Sequence, residues 1–233
     1  MEAEAPRYGV RLSDLQRDQF SRYYALLADW SSRMNLIGDT SADVVQRRHF
    51  LESIALGGAM REREVMRPSS NVLDLGAGAG FPGVVLKVVW PGIKLTLIEA
   101  TAKKTAFLEA LVAELQLGDV TVLTGRAETL GHHPDLREAF DLVVARAVAP
   151  LPVLVELALP FARVGGRLVT PKGSRATEEV ASAAHALDVL GGRAFAVPFD
   201  VPGPPQTVVA VQKLRPTPEA YPRRPGVPEK SPL

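Results

Sequence analysis

Asn71-Val-Leu-Asp-Leu-Gly-Ala-Gly-Ala-Gly-Phe-Pro-Gly83 is the stretch that decides the fold. Val72 to Leu75 is an apolar run interrupted only by Asp74. Glycines follow at 76, 78, 80 and 83, and then the apolar, helix-like run Val84 to Trp90. A buried parallel strand reads as a short apolar run bounded by turn residues. Glycines behind it let the backbone turn tightly and approach a ligand closely. A helix start offers free N–H groups and a positive dipole end to an anionic group. The spacing therefore predicts a strand, a glycine loop and a helix that together bind a nucleotide-like ligand.

Two cofactors compete for this site. Gly78-x-Gly80-x-x-Gly83 matches the dinucleotide fingerprint, a weak signal when alone. Three features favour S-adenosylmethionine (SAM). Asp74 stands inside the strand end, where an acid suits a cationic amino group and crowds a pyrophosphate. The glycines begin earlier, as Gly76-x-Gly78-x-Gly80, than the dinucleotide spacing requires. Pro82 removes a backbone N–H where a pyrophosphate needs donors. A turn without a ligand would have no need of four glycines, each costly in backbone entropy.

The chain has 233 residues, 46% of them hydrophobic, enough for one large domain or a domain with an extension. A net charge of +1 excludes a global polyelectrolyte, so any nucleic-acid site must be a local patch. The absence of cysteine removes disulfides, thiolate metal sites and cysteine nucleophiles, and is compatible with a reducing cytoplasm. The acidic start, Met1-Glu-Ala-Glu-Ala-Pro6, is not a signal peptide, and no apolar run is long enough to span a membrane. The pair His132-His133 has no spaced acid or thiol ligands and is expected to be solvent-exposed, so no metal is expected. Nothing in the pattern requires a second copy, and a monomer is expected.

Three segments are expected: a helical extension over 1–66, a main domain over 67–215 and a tail over 216–233. In the extension, Ser13-Asp-Leu-Gln16 resembles a capping box. Phe20, Tyr23, Tyr24, Leu27, Trp30 and Met34 follow at helical steps and predict a stripe packed on the main domain. Asn35 to Asp39 reads as a turn, and a second helix is expected from about Ala42 to Met60. It carries Arg47, Arg48 and His49, either a solvated basic face or the phosphate-contacting edge of a site.

In the main domain, strands are expected at Lys94–Ile98, Val120–Leu123, Asp141–Ala145 and Gly165–Lys172, with helices at Lys103–Gln116, Leu151–Ala162 and Glu178–Leu190 between or after them. Glu99 stands about 20 residues beyond Gly78, where an acid can accept both ribose hydroxyls of an adenosine cofactor. Ala100 and Thr101 share that lip. Gly125-Arg-Ala-Glu128 lies at another strand's carboxyl end, and an adenine-side contact for Glu128 competes with a plain loop acid. Two last strands, Ala194–Pro198 and Thr207–Gln212, are joined by the Pro/Gly-rich Pro202 to Pro205 with no helix between, so they should be antiparallel. The fold class is thus α/β: a Rossmann-like SAM-dependent methyltransferase sheet of seven strands with an antiparallel last strand. The tail is so rich in proline that an extended, non-helical arm is expected, solvated by default, or else packed on the domain or touching RNA.

After strand four the chain reads Ala145-Arg-Ala-Val-Ala149. It lacks the Asn/Asp-Pro-Pro-aromatic box of enzymes that methylate exocyclic amines. Attack at cytosine C5 needs a cysteine, and there is none. Guanine N7 fits what remains: its in-plane lone pair has no proton to lose, so proximity and alignment can suffice. Arg146 and Lys172, both at strand carboxyl ends, can orient the base or a phosphate, or can be structural ion-pair partners. A small-molecule oxygen or nitrogen stays open as substrate, as does a non-catalytic RNA-binding module that retains SAM.

Taken together, Arg33-Met-Asn-Leu-Ile37, Arg48-His-Phe-Leu-Glu-Ser53, the glycine stretch through Phe81-Pro-Gly83, Arg126-Ala-Glu128, Ala145 to Ala149 and Lys172-Gly173 resemble the glucose-inhibited division protein B family of bacterial 16S rRNA guanine-N7 methyltransferases. The resemblance spans roughly residues 20 to 213. Glu52 departs from it, since the family usually shows Asp there. The resemblance implies SAM contacts at Gly76, Phe81, Glu99, Ala100, Thr101, Ala127, Glu128 and Arg146, to which the reading of the glycine loop adds Asp74 and Gly78. It implies one guanosine in the decoding-region loop of the small ribosomal subunit as substrate. His49, Arg48 and Lys172 then face the RNA, Arg47 is a further RNA-contact candidate beside them, and Arg146, Lys172 and His49 are the candidates for a catalytic role.

Overall fold

Strand β1 is Asn71–Leu75. It lies inside a sheet completed by β2 (Lys94–Glu99), β3 (Val120–Thr124), β4 (Phe140–Val144), β5 (Ala162–Lys172), β6 (Gly192–Phe199) and β7 (Gln206–Lys213). The seven-stranded order is β3-β2-β1-β4-β5-β7-β6. The computed structural model describes residues 1–199, 201 and 206–233. The expected Pro202–Pro205 connection lies outside them.

Burial on both faces explains the apolar runs. Val72, Leu95, Leu97, Leu142 and Val144 belong to one core layer, while Leu73, Leu75, Ile98 and Val143 belong to the other. Successive side chains of each strand enter opposite layers, as a pleated strand covered on both sides requires. β1 pairs in parallel with β2 and β4, and β4 with β5. β7 runs antiparallel to β5 and to β6, as expected from a connection whose sequence leaves no room for a crossover helix. Strand order reverses direction between β1 and β4, the place where open α/β sheets hold ligands.

The helices are α1 (Asp14–Ser31), α2 (Ala42–Val44), α3 (Glu52–Glu62), α4 (Gly83–Val89), α5 (Ala102–Glu114), α6 (Ala127–Leu130), α7 (Leu151–Ala158), α8 (Ala176–Ser182), α9 (Ala184–Leu190) and α10 (Val227–Lys230). The capping box forms: Ser13 Oγ accepts from Gln16 N–H, and Gln16 Oε1 accepts from Ser13 N–H. Phe20, Tyr23 and Leu27 are buried in the layer that also holds α4 and α5, and Trp30 meets Phe107 edge-on. Gln16 donates to Val88 and Val89 carbonyls, and Gln19 to that of Leu115. The extension is thus riveted to the carboxyl ends of two domain helices.

Four expectations change. The single helix expected from Ala42 is two α segments joined by a π-helical turn, Val45–Leu51. The helix from Leu151 stops at Ala158 because Pro160 has no N–H to continue the ladder, and β5 starts at Ala162 instead of Gly165. The helix expected over Glu178–Leu190 is broken at Ala183 into α8 and α9. The tail takes the packed alternative over the solvated default, and it is not free of helix. Gly226, at φ 81°, starts α10, and Pro228 sits in its first turn, where a missing N–H does no harm.

Candidate cofactor and substrate site

The glycine loop is held by its own strand and by the extension. Gly76 and Gly80 have φ of 70° and 88°, which side chains rarely adopt. A Cβ on Gly80 would lie 2.5 Å from the Tyr23 hydroxyl, which donates a 2.6 Å hydrogen bond to the Ala79 carbonyl. A Cβ on Gly83 would lie 2.6 Å from Asp74 Oδ2, which accepts the Gly83 N–H at 2.7 Å. Asp74 is fully buried, and its Oδ1 has no hydrogen-bond partner. Burial pushes its pKa up to about 7, against the Gly83 N–H and the charge of Arg146, which pull it down.

A cavity of about 470 Å³ opens at the carboxyl ends of β1, β2, β3 and β4. Its walls include Leu75, Gly76, Ile98, Ala100, Ala127, Glu128 and Val148. Six sequence-expected contact positions surround this space or frame it. Gly76, Ala100, Ala127 and Glu128 line it directly. Glu99 and Gly78 stand behind: Glu99 Oε2 accepts the Gly78 N–H and Oε1 the Thr101 N–H, so the acid at the end of β2 shapes the loop after β1. Thr101 is exposed at the start of α5.

Arg146 and Lys172 stand elsewhere. A second cavity, about 770 Å³, lies between the extension and the loops after β4 and β5. Gly38, Asp39, Arg48, His49, Glu52, Arg146 and Lys172 are among its walls. The π turn brings His49 flat against Phe81, with centroids 4.8 Å apart, and Phe81 stacks in turn on Tyr23 at 5.3 Å. Arg146 covers the Phe81 ring at 5.2 Å, donates to the Arg48 carbonyl at 3.1 Å and reaches His49 Nδ1 at 2.8 Å. Glu52 lies 3.7 Å from it. Burial, with the charges of Arg146 and Arg48, lowers the His49 pKa to about 4. Ala147, next in the chain, has φ 55°, a strained conformation at the edge of both the strand and the cavity.

Lys172 Nζ bonds Glu179 Oε2 at 2.8 Å and the Ala149 carbonyl at 2.9 Å, so the structural half of its sequence reading is realised: it ties the loop after β4 to α8. Arg47 is paired with Asp43 one turn away and lines neither cavity. His132 and His133 are exposed, and His132 Nε2 lies 2.7 Å from the Pro222 carbonyl. Sequence reasoning placed no role on Tyr23 beyond packing, none on Glu52, and no tail residue beside the cofactor loop. Of these only Glu52 carried a signal, standing three residues after His49 and beside Ser53 in the Arg48–Ser53 block. Among the described residues no helix is long and apolar enough to cross a membrane, and no cluster of three metal-ligating side chains occurs.

The residues present suit SAM: apolar walls for an adenine, Glu128 in the cavity, and the unpartnered buried Asp74 Oδ1 at the loop. This arrangement defines the class, the SAM-dependent methyltransferase fold. Solved structures share it. One is a putative S-adenosyl-L-methionine-dependent methyltransferase of Methanococcus maripaludis, with a TM-score of 0.59 at 12% identity over 74% of this chain and 90% of that one. Another, MtNAS in complex with MTA and tNA, has a TM-score of 0.59 at 16% identity over 84% of this chain and 70% of that one. At such identities the likeness speaks for the fold alone.

Sequence narrows the class to a family. The GidB model, described as rRNA small subunit methyltransferase G, matches residues 16–206, and the chain belongs to this family. Proteins called "Ribosomal RNA small subunit methyltransferase G" are 45% identical in Roseiflexus castenholzii, over 98% of this chain and 97% of that protein. In Lactobacillus johnsonii the identity is 40%, over 99% and 97%.

Proposed function

We propose that this protein transfers the methyl group of SAM to N7 of one guanine in the 16S rRNA of the small ribosomal subunit. The observation that carries the reading is the pair of cavities sharing the loop after β4. Val148 and Ala149 wall the first, while Arg146 and Ala147 wall the second. A substrate base in the second cavity therefore lies one loop away from a cofactor in the first. The second cavity's rim holds Arg48, His49, Arg146 and Lys172 beside the acids Asp39 and Glu52, a polar, donor-rich lining suited to a nucleotide, where a small apolar substrate would want apolar walls.

SAM supplies an electrophilic methyl when bound. Glu99, Glu128, Asp74 and the Gly76–Gly78 backbone would hold it. The chain's own contribution to the substrate is orientation. Arg146 donates to His49 Nδ1, so the neutral imidazole carries its proton on Nε2 and offers one donor. That donor, with Arg48, can fix guanine O6 or a flanking phosphate and leave N7 unblocked. No base is required, because N7 has no proton to lose. An rRNA substrate implies action in the cytoplasm. The extension's apolar stripe is used on the chain's own core, which supports a monomer.

The test is transfer from labelled SAM to 16S rRNA or small subunits lacking the modification, followed by reduction and aniline cleavage. One new strand break at a single guanine is expected. Label with no break would exclude N7, and no label would exclude the substrate.

A further inference from the structure

We propose that the C-terminal tail is part of the cofactor site, with residues 226–232 forming its outer wall and controlling how tightly SAM is held. The inference rests on the SAM reading of the first cavity. The family model ends at residue 206, so this segment lies outside the pattern that defines the family. Nevertheless Pro228, Glu229 and Pro232 line the same cavity as Gly76, Ala100 and Glu128. The Gly226 N–H donates to Glu128 Oε1 at 3.0 Å, fixing the carboxylate that lines the cavity.

The tail is fastened as firmly as a core element. Glu156, on α7, has no exposed surface, and Arg223 answers it with three bonds. The Arg223 N–H and Nε reach Oε1 at 2.8 and 2.9 Å, and Nη2 reaches Oε2 at 2.6 Å. Nη2 also donates to the Ser231 carbonyl at 2.8 Å, folding the tail back on itself. Upstream, Arg137 donates to the Thr217, Pro218 and Tyr221 carbonyls. The helix that anchors Arg223 also carries Pro152 and Val153 into the cavity wall, so anchor and wall move as one body. Prolines at 218, 222, 225, 228 and 232 restrict the unfolded tail and lower the entropy lost when it docks. A wall already in place before binding costs the ligand no ordering.

The experiment is calorimetric titration of SAM into the full chain and into a chain ending at Pro225, which keeps Arg223 and Glu156. The shortened chain should bind SAM about ten-fold more weakly or worse, while its melting temperature without SAM stays near that of the full chain. Arg224→Ala, an exposed tail change outside 226–232 and away from the cavity lining, should bind as the full chain does. Equal affinity in the shortened chain would overturn the tail's role with the SAM site intact. No binding by the full chain would overturn the cofactor reading itself. Hydrogen exchange on the intact protein reads the same point should the shortened chain misfold. SAM must slow exchange of amides within 226–231, and unchanged exchange there would sink the proposal.

Discussion

Arg146 Nη2 lies 2.8 Å from His49 Nδ1 while both side chains lie against the Phe81 ring. A guanidinium has only donors, so Nδ1 must accept and the imidazole must stay neutral with its proton on Nε2. The cation thereby turns a titratable residue of the extension into a fixed donor. It also joins the extension to the cofactor loop through Phe81 and Tyr23.

His49→Phe keeps a ring on Phe81 and removes the donor. Methyl transfer to rRNA should fall roughly ten-fold in kcat/KM, the effect of losing about 1.4 kcal/mol of hydrogen bonding. The native pKa of about 4 lies below the ordinary 6.5, so between these values the unfolded chain takes up a proton that the native one refuses. Wild type should lose stability as pH falls through that window, and the variant should lose less. Denaturant titrations at pH 7 and pH 4.5 check this; an identical loss in both proteins would contradict it.

Asp74 gives the opposite sign. Its native pKa, about 7, lies above the ordinary 3.8, so native protein holds a proton that the unfolded chain releases. Stability is fully present below 3.8 and drains away as pH rises through about 7, by at most roughly 4 kcal/mol. Asp74→Asn can still accept the Gly83 N–H and carries no charge. Without SAM it should melt higher than wild type at pH 8 and nearly alike at pH 4. With Asp74 as a partner of the SAM amino group, the same variant should bind SAM more weakly. A variant less stable at pH 8 would refute the burial argument.

Gly80 and Tyr23 should be coupled. Gly80→Ala meets both a φ of 88° and the Tyr23 hydroxyl at 2.5 Å from the new Cβ, and should cost about 2 kcal/mol or more. Tyr23→Phe removes the bond to Ala79 and should cost about 1 kcal/mol. The double variant should be less destabilised than the sum of the two, because the phenyl ring has no hydroxyl to clash. A double-mutant cycle in urea measures this, and strict additivity would show that the φ and the Val84 side chain, 2.8 Å from the new Cβ, set the cost without the hydroxyl.

The sheet was legible because its signals are local. Val72 to Leu75 is buried on both faces, Gly76 to Gly83 must bend, and a connection too short for a helix forces β7 to run antiparallel to its neighbours. The capping box at Ser13 was legible for the same reason. The π turn was not. Val45 to Leu51 carries no proline or glycine, and the turn places His49 on Phe81, a residue far off in the chain. Lys172 was ambiguous because its partner Glu179 belongs to the next helix and is chosen by tertiary packing. The tail misled because proline content speaks against long helices but says nothing about where Arg223 can find a buried carboxylate. Glu156 reads in sequence as one polar residue on an apolar helix.

Arg146 separates the two cavities most sharply. Family resemblance sets it among the SAM contacts, yet its guanidinium is spent on Arg48, His49 and the Phe81 face in the second cavity. Arg146→Lys keeps the charge but cannot reach the carbonyl and the imidazole together from one planar fork. His49 then loses its enforced tautomer, and the π turn loses its tie to the loop after β4. Methyl transfer to rRNA should fall about 100-fold or more, while SAM affinity measured by calorimetry should change by less than about three-fold, under 1 kcal/mol. The His49 pKa, followed by NMR, should also rise, because burial is relaxed and the neighbouring charge can move away. A large loss of SAM affinity with an unmoved His49 would place Arg146 on the cofactor, and the substrate cavity would then depend on Arg48 and His49 alone.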